Sequence, residues 1–213
     1  MRDDGDVRNL LESWATLISR HCADPDAIDV GRRLLAAWSE PHRRYHGLTH
    51  LCDILDRVEE LAPYADDADS VRLAAWYHDS VYAGLPDDEE RSARRAEDEL
   101  SRLSVASELV AEVARLIRMT VTHDPVSGDR NGEVLSDADL AALAVAGDAY
   151  RVNTAAIRAE YAHVPDEAFR KGRSQVLVAL LAGPGVFRTD YARQAWEVAA
   201  QDNMRAELAG LTD

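Results

Sequence analysis

The apolar residues of this chain recur at three- and four-residue spacing along nearly its whole length, and no run alternates apolar with polar residues between turns. That period belongs to amphipathic helices rather than half-buried strands, so the sequence predicts an all-α, helical-bundle fold. Leu10, Leu11, Trp14, Leu17 and Ile18 make one stripe, and Ile28, Leu34, Leu35 and Trp38 make a second, stopped by Pro41. A third runs from Leu48 through Leu51, Ile54, Leu55 and Val58 to Leu61, and a fourth runs from Ser70 to Tyr82. Asp87 or Asp88 caps the next helix, which continues through Ala93 and Leu100, and a further one carries Leu109, Val113, Leu116 and Ile117. Residues 124–132, with a Pro, two Gly and three Asp or Asn, read as the clearest loop. Helices are expected after it at 136–145, 147–162, 166–182 and 189–209, with breaks at Pro165 and at Gly183-Pro184-Gly185. No internal repeat and no Pro/Gly/Ser-rich linker divides the chain, so residues 1–213 are expected to form one domain.

At 213 residues the chain is long enough to bury a sizeable core, so a metal site here is expected to serve function rather than to staple the fold. Its formal charge is −15, which repels phosphate backbones and anionic lipid surfaces and argues against nucleic acid or a membrane as partner. A small phosphate ester stays open, because a bound divalent cation reverses the potential inside a single pocket. The two cysteines, Cys22 and Cys52, are too few for a disulfide framework and suit a reducing compartment. The N-terminal Met1-Arg2-Asp3-Asp4-Gly5-Asp6 has no apolar run behind it, and no stretch reaches the roughly 18 apolar residues of a membrane span. A cytoplasmic location is expected.

Against this helical background the histidines are unevenly placed. His42, His46 and His50 recur every four residues, a spacing that puts side chains on one helix face about 5–6 Å apart and lets two imidazoles aim at one ion. Pro41 and Gly47 interrupt that helix, so only His46 and His50 are expected to share a face or a helix start. His78-Asp79 lies in the apolar segment Ala74–Tyr82, where an ionised Asp must be paired or metal-bound. The dipeptide recurs at His123-Asp124, so the signal is in the apolar context and not in the pair itself. Asp137 and Asp139 are likewise set among Leu and Ala; two apart on a helix, they point about 200° apart, so only one can face a given ion. Each feature alone has a plainer reading: a hydrogen-bonded core histidine, a helix cap at Asp137, and first-turn acids at Glu89 and Glu90. Together they form a nitrogen and oxygen donor set suited to manganese, iron, cobalt, nickel or zinc more than to calcium.

In this order the residues resemble the HD-domain superfamily of metal-dependent phosphohydrolases, whose signature is a His, a His-Asp pair and a distant Asp. More narrowly, Arg44-Tyr45-His46-Gly47-Leu48-Thr49-His50, Trp76-Tyr77-His78-Asp79-Ser80-Val81-Tyr82, Glu89-Glu90-Arg91-Ser92-Ala93 and Asp137-Ala138-Asp139-Leu140 are similar to a bacterial group of predicted metal-dependent HD-superfamily phosphohydrolases. Ile157-Arg158-Ala159-Glu160-Tyr161 and Phe169-Arg170-Lys171-Gly172-Arg173 are similar to it as well. The resemblance implies a signature core at about 38–145 with C-terminal helices at 147–209 packed on it. It implies that His50, His78, Asp79 and one of Asp137 or Asp139 hold a divalent ion, with Asp139 favoured by its Ala-Asp-Leu setting. One or two ions are expected, of manganese, iron, cobalt, nickel, zinc or magnesium, with Asp79 able to bridge a second and His123 the added ligand.

His46 takes the place of a His that protonates the leaving oxygen in related cyclic-nucleotide phosphodiesterases, although Gly47 follows it here where Asn is common. Glu89 is expected to orient the attacking water, and Asp88 stands where the group usually shows Asn. Arg158, Lys171 and Arg173 are expected to clamp the phosphate, with salt bridging to the abundant acids as their plainer reading. Tyr45, Trp76 and Tyr82 either stack on a base or serve as core. The implied function is hydrolysis of a small phosphate ester, a nucleotide above all, by metal-activated water. The alternatives are a di-iron oxygenase on the same fold and a non-catalytic nucleotide-binding or regulatory helical module.

Overall fold

The predicted stripes become the buried faces of a helical bundle. The structure, a computed structural model, describes residues 4–212 and contains no strand among them. Seven helices, α1 (Asp4–Ile18), α2 (Ala27–Trp38), α3 (Leu48–Leu61), α4 (Ala68–Tyr77), α5 (Asp88–Arg102), α6 (Ser107–Met119) and α7 (Arg130–Leu140), share one hydrophobic core. Four more, α8 (Gly147–Glu160), α9 (Asp166–Ala182), α10 (Asp190–Ala195) and α11 (Glu197–Thr212), follow it. Short 3₁₀ turns occupy Ala62–Tyr64 and Ala141–Ala144. Leu177, Phe187, Ala192, Ala200 and Met204 form a second, smaller core, and Trp196 packs against both. Among the described residues no helix is long and apolar enough to cross a membrane.

The axis of the first core is α4. Val71, Leu73, Ala74, Ala75, Trp76 and Tyr77 are all fully buried, and the helix packs on α1, α3, α5, α6 and α7. An apolar surface all round is what a central helix requires. Asp67 caps its start by accepting from the backbone N–H groups of Asp69 and Ser70. Trp14 and Trp38 close over it: Trp14 meets Trp76 edge-on with ring centroids 5.4 Å apart, and Trp38 donates its indole N–H to the Trp76 carbonyl at 3.0 Å. Trp14 donates to the Ala27 carbonyl at 2.7 Å, so α2 crosses α1 at close range. A Cβ on Gly31 would stand 2.3 Å from the Trp14 ring. Gly31→Ala is therefore expected to overpack this crossing and lower stability by about 1–3 kcal/mol, measured by urea unfolding. An unchanged midpoint would mean that the crossing is looser than described.

Four boundaries differ from the sequence expectation. The fourth helix ends at Tyr77, not Tyr82, because the following turn is held from outside. Arg43 donates to the Asp79 carbonyl at 2.7 Å, Arg95 donates to that of Ser80 at 3.0 Å, and the Val81 N–H donates to Ser92 Oγ at 3.0 Å. The loop expected over 124–132 is shorter, since α7 starts at Arg130 and not at 136. Asp129 caps it by accepting from the Gly132 N–H at 3.1 Å, and a Cβ on Gly132 would lie 2.4 Å from that carboxylate, so the glycine is there for the cap. The helix expected over 136–145 gives way to 3₁₀ geometry after Leu140. The last helix is split at Trp196, where the Glu197 carboxylate accepts from the Val186 and Phe187 N–H groups and draws the start of α11 to the preceding turn.

Candidate metal centre

Four segments deliver the chemical groups to one place. His50 sits in the first turn of α3, His78 and Asp79 follow the C-terminus of α4, His123 follows α6, and Asp139 lies in the last turn of α7. His46 precedes α3, so the four-residue spacing of His46 and His50 spans a helix start, the arrangement Pro41 and Gly47 imposed. The donor atoms of His50, His78 and Asp139 all lie within 4.8 Å of one another. His50 Nε2 is 3.1 Å from Asp139 Oδ1 and 3.8 Å from Asp79 Oδ2, and His78 Nε2 is 3.3 Å from Asp79 Oδ2. His123 Nε2 is 3.6 Å from Asp139 Oδ2 and so joins the cluster from its far side. His123 holds a positive φ of 50°, a left-handed conformation uncommon outside glycine, and Ser136 donates to its carbonyl at 3.3 Å.

The electrostatics show what this cluster could hold. His50 Nε2, His78 Nε2 and His123 Nδ1 are buried, and none has a hydrogen-bond partner among the described residues. His78 Nδ1 lies 2.9 Å from the Ala75 carbonyl, which can only accept, so Nδ1 carries a proton and Nε2 is the nitrogen that faces the carboxylates. Burial by itself draws the His78 imidazole down, but the charges of Asp79 and Asp139 outweigh it and push it up to about 9. Burial likewise opposes ionisation of Asp79 and Asp139, and the charges of the surrounding imidazoles hold both well below the usual carboxylate range. Burial lowers the His123 imidazole below its ordinary range. With these carboxylates and imidazole nitrogens brought together, the residues could hold a cation, and their donor types fit a divalent metal.

The cluster is held by the core beneath it. The Trp38 ring packs against His78 and His50 with centroids 5.4 and 6.1 Å away. Arg43 lies between the Trp38 and Tyr82 rings, 5.5 Å from each centroid, and donates to the carbonyls of both His46 and Asp79. It thus ties the two motif segments together. His46 stacks on Tyr82 with centroids 4.3 Å apart, and its Nδ1 is 2.6 Å from Glu160 Oε2. The other Glu160 oxygen accepts from the N–H groups of Arg44, Tyr45 and His46. Burial works against its charge, yet the His46 contact and these N–H groups keep Glu160 below its ordinary range.

Asp137 belongs elsewhere. It is fully buried, its Oδ1 accepts from the Arg188 N–H at 2.7 Å, and its Oδ2 accepts from the Thr189 N–H at 2.8 Å and the Thr189 hydroxyl at 2.7 Å. Of the two candidates on α7, Asp139 faces the cluster and Asp137 joins the two cores, as their opposed directions on the helix require. Asp88, the first residue of α5, holds the turn before it, accepting from the Ala83 and Leu85 N–H groups at 2.7 and 2.9 Å.

A cleft of about 890 Å³ opens above the cluster, lined by His46, His78, Asp79, Glu89, His123 and Asp139 at one end and by α8 and α9 at the other. Burial, followed by the charges of Asp79 and Asp88, raises the Glu89 carboxyl. Tyr45 and Tyr82 line the cleft, while Trp76 is core. Of the three cations expected to clamp a phosphate, one lines the cleft. Arg158 donates to the carbonyls of Tyr161 and Val164, pairs with Asp166 and lies over the Phe169 ring, bracing the α8–α9 turn. Lys171 is exposed and does not line the cleft. Arg173 does line it, paired to Glu207 at 2.8 and 3.0 Å.

Sequence reasoning passed over Arg43 and the part played by Glu160. Arg43 carried no signal among the 24 basic residues, whereas Glu160 stood in a segment already similar to the phosphohydrolase group. No protein-family model, no curated protein and no solved structure matches the chain.

Proposed function

We propose that the chain is a metal-dependent phosphohydrolase of the HD type, acting on a small phosphate ester. The observation that supports this best is the convergence of His50, His78 and Asp139, with Asp79 beside them, where His78, Asp79 and Asp139 line an 890 Å³ cleft. The order of these residues in the sequence adds the resemblance to HD-superfamily phosphohydrolases. His50, His78, Asp79 and Asp139 would hold the ion, with His123 available to a second. Bound there, a divalent cation supplies Lewis acidity, which activates water and neutralises phosphoryl charge.

The rest is done by the protein's own groups. Glu89, on the cleft wall, orients the attacking water. Glu160 fixes the His46 ring through Nδ1 and leaves Nε2 to pass a proton to the departing ester oxygen. The negative net charge favours small ligands over nucleic acid.

Glu160→Gln weakens the hold on His46 without touching the ion, so kcat is expected to fall about a hundredfold while KM and metal affinity hold. An equal loss of metal affinity would show that Glu160 acts on the fold instead. The proposal is tested by phosphate release from nucleotides and simple phosphate esters, with manganese, cobalt, nickel, magnesium or iron added, comparing wild type with Asp79→Ala. Metal-dependent release that Asp79→Ala abolishes supports it. Metal-loaded protein that releases no phosphate, or that consumes oxygen with bound iron instead, overturns it.

A further inference from the structure

The cleft is much larger than a phosphate requires. Its volume of about 890 Å³ lies near the top of the range for clefts that enclose drug-sized ligands, roughly 300–1,000 Å³. Away from the cluster its walls change character. Leu143 comes from the turn after α7, Ile157 from α8, and Phe169, Val176, Ala179 and Leu180 from α9. The α9 positions recur at helical spacing, so one apolar face of that helix borders the cleft. Of the seventeen residues of α9 only Leu177 is buried, and Val176 is 50% exposed, so this face keeps apolar surface in water at a cost in free energy.

Charge completes the picture. Among the described residues Arg173 is the one Lys or Arg side chain lining the cleft, and two of its guanidinium nitrogens already bind Glu207, which also accepts from the Tyr150 hydroxyl. Asp79, Glu89 and Asp139 line the same space. A polyphosphate would bring several negative charges against those carboxylates with one engaged cation to meet them. A single phosphate at the cluster, attached to an uncharged apolar group, matches both ends of the cleft.

Resting on the phosphohydrolase reading for its phosphate end, we propose that the α9 side of the cleft is a binding site for a long apolar chain, and that the substrate is a phosphomonoester of an apolar alcohol rather than a nucleotide. In its hydrolysis the water oxygen forms the new P–O bond and the P–O bond to the alcohol breaks. The electron pair leaves on the alcohol oxygen, which takes up a proton, and the products are the alcohol and inorganic phosphate.

The test is isothermal titration of the manganese-loaded protein with n-alkylphosphonates from methyl to decyl, whose C–P bond is not hydrolysed, beside adenosine 5′-diphosphate. Each added methylene is expected to tighten Kd about two- to fourfold until the cleft is filled. Decylphosphonate is expected to bind far more tightly than the nucleotide. Val176→Asp and Ala179→Asp, both at exposed positions where folding tolerates a charge, are expected to flatten the series toward the methyl value. A series flat in the wild type, with the nucleotide bound more tightly than decylphosphonate, overturns the proposal even if nucleotides are hydrolysed. A steep series that the α9 variants flatten supports the apolar site even if no phosphate is released from any ester, an outcome that sinks the phosphohydrolase reading alone.

Discussion

Asp139→Asn is expected to lower affinity for a divalent cation at least about a hundredfold and to remove metal-dependent phosphate release with it. The size follows from where the carboxylate stands. Groups that merely orient a ligand are worth about 10–100-fold in metal affinity, and Asp139 lies 3.1 Å from His50 Nε2 and 3.6 Å from His123 Nε2, in direct reach of any ion the imidazoles hold. Asn keeps the volume and removes the charge, so the helix is expected to persist. Cation titration of the two proteins side by side reads the effect, and an Asp139→Asn variant that binds metal as wild type does would remove Asp139 from the ligand set.

Two residues earlier on the same helix the expected outcome is the reverse. Asp137→Ala leaves the Arg188 N–H, the Thr189 N–H and the Thr189 hydroxyl without their acceptor in a buried place. Orphaned buried donors cost about 1–3 kcal/mol each when water does not reach them. With partial relaxation the loss is expected to be about 3 kcal/mol, or roughly 6–12 °C in Tm for a chain of this length. Asn is no remedy, because its amide would turn N–H groups toward N–H and O–H donors. Metal affinity measured below the lowered Tm is expected to stay near that of wild type. A stable Asp137→Ala variant that has lost metal would exchange the roles assigned to the two aspartates.

The contrast between these aspartates shows how far the sequence could be read. Helical periodicity established that only one of them can face a given ion, because a 200° turn separates them. It could not say which, since the partner of Asp137, the Thr189 segment, is some fifty residues away. The helix stripes of α1 to α6 were legible because burial repeats locally, and Trp14, Trp38, Leu51 and Leu100 are buried as their spacing requires. The end of α4 was not, because the turn at His78–Val81 is held by Arg43, Arg95 and Ser92, and nothing in the local composition marks it. The same reason explains Arg158, which looked like a phosphate clamp by charge and is committed to the carbonyls of its own turn. Histidine and aspartate set in apolar helices stood out because a buried charge demands a partner. An arginine's target depends on the fold.

All of these readings rest on the His50, His78, Asp79 and Asp139 cluster being a metal centre. The most direct measurement is titration of metal-depleted protein with cobalt(II), followed by calorimetry and by the visible absorption that histidine and carboxylate ligation gives that ion, in wild type and His78→Ala. The structure predicts saturable uptake of one or two ions per chain in the wild type, with the spectrum and the heat both lost in His78→Ala. No saturable uptake, or uptake that His78→Ala leaves intact, would contradict it.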